Sequence, residues 1–90
     1  MKLHLNLKGE YFHQIKCGEK KYEYRLFNNY WKKRLTHPVT FSEIVIKLGY
    51  PKSDDKEKII CRPWKGFEVT TITHPHFGDD PVQVFAIKVN

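Results

Sequence analysis

Lys20, Glu23 and Arg25 put two cations and one carboxylate into a short segment directly after Gly18. Flanking cations keep a carboxylate ionised and oriented, and a lysine at the start of a strand can aim its ammonium into a cleft. Such a trio can act as an acid/base pair with an anion-stabilising partner, or can hold a polar ligand. Side chains alternate along a regular strand, so Lys20 would point away from Glu23 and Arg25. The three converge only if Lys20 belongs to the preceding turn or to a bulge. Without that convergence the same residues form a surface salt bridge of little energetic worth.

Other residues with chemical potential lie further along. His74 and His76, two apart and followed by Asp79 and Asp80, share a face in extended chain and could take two ligand positions of a divalent metal, with Asp79 as a third. Such a His-Pro-His run more often serves as turn structure or as neutral hydrogen-bonding and stacking groups, and no metal or cofactor is assigned on this pattern. Trp31, Tyr50 and Trp64 each neighbour a basic residue or a loop mouth. Each could stack on an exposed base for roughly 1–3 kcal/mol, or could belong to the core. Cys17 lies in a helical segment with no histidine at a partnering spacing, and two cysteines alone build neither a disulfide framework nor a four-sulfur zinc site. Cys17 and Cys61 are therefore expected as reduced core or edge thiols.

The elements that must position these groups follow from periodicity. Leu3, Leu5 and Leu7 alternate with Lys2, His4 and Asn6, which predicts a strand with His4 facing out or across a cleft. Tyr11, Phe12 and Ile15 predict a short amphipathic helix over 9–16 that Gly18 stops. Residues 21–26 alternate again, Lys21, Glu23 and Arg25 against Tyr22, Tyr24 and Leu26, and the apolar set is expected to pack on the helix. Asn28 and Asn29 cap a helical turn over 30–35, with Lys32, Lys33 and Arg34 at its C-terminal end and Pro38 marking the exit. Residues 43–48 read as a central strand, 50–57 as a loop, 59–62 and 67–73 as strands separated at Pro63, 74–81 as irregular, and 82–89 as a final strand. The expected architecture is α+β in a single domain over 1–90: a small curled barrel of five to six mostly antiparallel strands with one main helix and a short helical turn.

Charge is distributed unevenly along the 90 residues. Residues 1–47 hold ten Lys and Arg against four Asp and Glu, so the whole net charge of +6 sits in the first half. Within it, Lys20, Lys21, Arg25, Lys32, Lys33 and Arg34 interleave with Tyr22, Tyr24, Phe27, Tyr30 and Trp31. Cations for phosphates beside rings for bases is the composition of a nucleic-acid surface. The longest apolar runs, Ile44–Ile46 and Val84–Ile87, are strand-length. Neither a membrane span nor the apolar segment of a signal peptide is present, and a cytoplasmic protein is expected.

The segment Gly18-Glu19-Lys20-Lys21-Tyr22-Glu23-Tyr24-Arg25 matches the G-x-K-x-x-E-x-R signature of the ASCH domain. Leu7-Lys8-Gly9-Glu10-Tyr11-Phe12 resembles that family's approach to its first helix, and Tyr30-Trp31-Lys32-Lys33-Arg34-Leu35 its aromatic-basic segment. Gly49-Tyr50-Pro51-Lys52-Ser53-Asp54-Asp55 and His74-Pro75-His76-Phe77-Gly78 are similar to small bacterial and phage-type members, so the resemblance covers nearly the whole chain. It implies a PUA-like fold and a role in RNA binding, RNA modification or translation. One branch of the family hydrolyses N4-acetylcytidine, and another member type is described as a metal-dependent ribonuclease. In the acetylcytidine branch a threonine nucleophile occupies the position of Glu23, supported by a lysine matching Lys20; this chain lacks that hydroxyl. The late histidine of the family resembles His74, which places His74 in the cleft.

Two functional expectations result. In the first, a rim of Lys20, Glu23, Arg25, Tyr30, Trp31, Arg34, Tyr50 and His74 accepts a single-stranded or flipped-out nucleotide, with Lys32, Lys33 and Arg34 on phosphates and Glu23 reading a base amino group. In the second, the protein hydrolyses RNA or a modified nucleoside, with Lys20 and Glu23 as acid and base and Arg25 or His74 stabilising developing negative charge. RNA is the expected partner in both, a small nucleoside is an alternative ligand, and a protein partner on the aromatic patch is a third reading.

Overall fold

The computed structural model describes residues 1–36, 41–52 and 54–90. The predicted exit at Pro38 and Ser53 of the Gly49–Asp55 segment lie outside them. The alternating leucines form β1 (Lys2–Leu7), with Leu3, Leu5 and Leu7 all buried. Helix α1 (Gly9–Lys16) follows and buries Phe12 and Ile15 completely. Gly18, at φ +86°, reverses the chain after α1 in a conformation that other residues adopt only with strain. Next come β2 (Tyr22–Leu26) and α2 (Asn29–Leu35). The Asn28 side chain caps α2 by accepting the Trp31 backbone N–H at 3.0 Å. Asn28→Ala is expected to cost about 1 kcal/mol in chemical denaturation, because it frees an N–H at the helix start.

Strands β3 (Glu43–Leu48), β4 (Ile59–Pro63), β5 (Phe67–Ile72) and β6 (Val82–Lys88) complete the fold. They form two three-stranded sheets, ordered β1-β3-β4 and β2-β6-β5. Both central strands, β3 and β6, are buried on either face, which is why Ile44–Ile46 and Val84–Ile87 read as unbroken apolar runs. Three pairings are antiparallel, whereas β1 and β3 run parallel, Leu5 opposite Ile46. The long crossover through α1, β2 and α2 makes that pairing feasible. Pro63 stays within β4, opposite Glu43, on an edge strand where its missing donor costs no ladder bond. The 50–57 loop and the 74–81 stretch each contain a short 3-10 turn, Lys56–Lys58 and Pro75–Phe77. No helix among the described residues is long and apolar enough to cross a membrane.

Two expectations change. Among the described residues the strands make two sheets and not one closed barrel. Where β1 and β2 come together, Asn6 C=O accepts from the Arg25 side chain at 3.4 Å. Strand β2 also presents the opposite face from that expected: Glu23 is buried at 5% exposure, whereas Leu26 is 38% exposed. Glu23 pairs with Ile87 and Arg25 with Phe85, on the face of β6 that joins the main hydrophobic core, whereas Tyr24 and Leu26 pair with Ala86 and Val84 on its other face.

Candidate functional site

Lys20 meets the convergence condition. It lies after the Gly18 turn and before β2, with its N–H donating to Gln14 C=O at 3.0 Å. Its Nζ stands 3.8 Å from Glu23 Oε1, and an Arg25 guanidinium nitrogen stands 3.4 Å from Glu23 Oε2. Arg25 is fixed by donating to Tyr24 C=O at 2.9 Å as well as to Asn6 C=O. Glu23 Oε1 accepts the Tyr24 N–H at 3.2 Å, while Oε2 is buried without a hydrogen-bond donor aligned to it. Beyond its ion pair with Arg25, this oxygen keeps unused acceptor capacity.

These groups line a cleft of about 350 Å³ bordered by the ends of β1 and β2. Aromatic rings complete it. The Lys20 ammonium lies 5.3 Å from the Tyr11 ring centre and 4.9 Å from that of Tyr24, and the Arg25 guanidinium lies 5.5 Å from that of Trp31. Burial and the neighbouring Glu10 push the Tyr11 hydroxyl above its ordinary pKa, so it remains a protonated donor at neutral pH. On the far wall His74 packs 6.1 Å from Tyr11, and its Nδ1 accepts the His76 N–H at 3.1 Å. In the neutral ring the proton then sits on Nε2 as a donor. Behind the cleft, Asn90 Nδ2 donates to Lys20 C=O at 2.7 Å and to Ile15 C=O at 3.0 Å, and Arg62 donates to Asn90 Oδ1 at 3.2 Å. This network ties the Lys20 backbone to the end of α1.

Of the residues singled out from the sequence, the cleft unites Lys20, Glu23, Arg25, Trp31, His74 and His76. Tyr50 is not among them: at 93% exposure it projects beyond Gly49, where a φ of +64° turns the chain after β3. Tyr30 is also exposed and outside the cleft, with the Arg34 guanidinium 4.3 Å from its ring centre. Lys32 sits 4.2 Å from the Phe27 ring centre, and Lys33 and Arg34 border a separate depression. Helix α2 therefore presents Trp31 to the cleft while its basic residues face elsewhere. Trp64 packs against the core beside Phe41 and Phe67. Cys17 and Cys61 are free and exposed, Cys61 on edge strand β4. His74, His76, Asp79 and Asp80 do not gather into a metal-ligand cluster among the described residues.

Tyr11, Asn6 and Phe77 line the cleft without having been singled out, and Tyr24, named only among the interleaved rings, lines it too. Tyr11 and Tyr24 read as core by periodicity, and their hydroxyls were the available signal for a half-wet position. The chain has no match among protein-family models, curated proteins or solved structures.

Proposed function

We propose that this is an RNA-binding domain whose cleft takes one unpaired or flipped-out nucleobase. The observation that carries the reading is Glu23: a buried carboxylate on the wall of an aromatic-lined cleft, ion-paired with Lys20 and Arg25 and with one oxygen lacking an aligned hydrogen bond. A base inserted there stacks on the rings and donates an exocyclic amino hydrogen to the Glu23 carboxylate, which favours cytosine or adenine over uracil. The clustering of the G-x-K-x-x-E-x-R residues on this cleft supports membership of the ASCH family and its PUA-like fold. The two free cysteines suit a reducing, cytoplasmic setting. A second reading, hydrolysis of RNA or a modified nucleoside, rests on the 3.8 Å approach of Lys20 to Glu23, which pairs a proton donor with a base beside the bound group.

Incubation with total RNA and acylated nucleosides, with EDTA or with added magnesium or manganese, distinguishes the two. The parent protein should retain RNA in a salt-sensitive manner, and Lys20→Ala should retain markedly less. Product released by the parent and not by Lys20→Ala would establish the hydrolase reading instead. Neither retention nor product would refute both.

A further inference from the structure

Trp31 borders two clefts. Besides the one holding Glu23, it lines a second depression of about 280 Å³ together with His4, Lys33, Arg34 and Phe41. The outward residues of β1 run along both, His4 at the second and Asn6 at the first. Alternate strand residues lie about 7 Å apart, so the two clefts are neighbours within reach of one unstacked nucleotide.

The charge of the second cleft is unmatched. Lys33 and Arg34 pair with no carboxylate among the described residues, whereas Lys2 is neutralised by Glu43 at 2.9 Å. The Arg34 guanidinium over the Tyr30 ring is oriented without losing its charge. Burial, with Lys47 and Lys2 nearby, holds the His4 imidazole below its ordinary pKa, which leaves it neutral at neutral pH. The positive potential therefore comes from two side chains on successive positions of α2, placed by the same capped helix that places Trp31.

We infer that the second cleft binds the phosphodiester adjoining the base held at Glu23, with Trp31 as the partition between two consecutive positions of one RNA strand. The ligand is then an oligonucleotide and not a free nucleoside. This rests on the base-binding reading of the first cleft, and the test separates the two.

Calorimetric titration with cytidine and with tetracytidylate should show the tetramer binding about tenfold tighter at low salt, from added phosphate contacts. In the Lys33→Gln, Arg34→Gln double variant that ratio should fall to about one. Its slope of log affinity against log salt should shallow by about 0.7, for the one phosphodiester no longer neutralised. Circular dichroism checks that α2 persists, and a Lys52→Gln control, outside both clefts, should keep the ratio. A parent protein that binds cytidine as tightly as the tetramer overturns the inference and leaves the base cleft standing. A double variant that keeps the tenfold ratio overturns it too. If the parent binds neither ligand, the base-binding reading fails and takes the inference with it.

Discussion

Glu23→Gln should lower affinity for tetracytidylate by about ten- to a hundredfold while leaving affinity for tetrauridylate the same or slightly higher. A hydrogen bond to a charged group contributes about 1.5–3 kcal/mol, and each 1.4 kcal/mol is about tenfold. The Glu23 carboxylate lines the cleft, and beyond its ion pair with Arg25 the oxygen Oε2 has no aligned hydrogen bond within the protein, so the group keeps acceptor capacity. Uracil offers no exocyclic amino group at the corresponding edge and gains nothing from that carboxylate. Removing the carboxylate also leaves Lys20 and Arg25 with a larger net positive charge, which favours any phosphate nearby. Fluorescence anisotropy with the two labelled tetramers, alongside circular dichroism to check folding, reads the difference directly. Equal losses on both sequences would assign Glu23 to holding the cleft together and not to reading the base.

The largest stability effect is expected at Phe85. Its ring is fully buried on β6, with the Phe27 ring centre 5.0 Å away and that of Phe67 5.1 Å away. Phe85→Ala removes the contact of both neighbours and leaves a cavity between β2 and β5 on the central strand, a loss of about 3–5 kcal/mol. Small domains are stable by only about 5–15 kcal/mol, so urea denaturation should show a large fall in midpoint with a similar slope. Because Phe85 pairs with Arg25 across the sheet, the variant should also weaken oligonucleotide binding. A loss below about 1 kcal/mol would mean that Phe27 and Phe67 close the gap by repacking.

The local elements were legible because each rests on a short-range rule. The alternation of Leu3, Leu5 and Leu7 sets one buried face of β1, Gly18 ends α1 through a left-handed backbone, and Asn28 caps α2 through its own side chain. The meeting of Lys20, Glu23 and Arg25 was legible as a condition, since strand alternation itself says when Lys20 can and cannot join them. The facing of β2 was not. Tyr22, Tyr24 and Leu26 form the more apolar set, and a rule confined to that strand turns them inward.

Tertiary pairing reversed that choice. Opposite β6, the register aligns Glu23 and Arg25 with Ile87 and Phe85, and the interior accepts the carboxylate because two cations enter with it. The same dependence on distant chain decided which aromatics serve the cleft. Tyr11 and His74, more than sixty residues apart in sequence, pack together on its wall, while Tyr50, beside a promising loop, turns away into solvent. It also decided that α2 divides its residues, Trp31 bordering both clefts while Lys33 and Arg34 border only the second. Periodicity and capping are properties of neighbouring residues and are written in the chain. Which face turns inward, and which loops share a rim, depend on strands that meet only when the domain closes around its core.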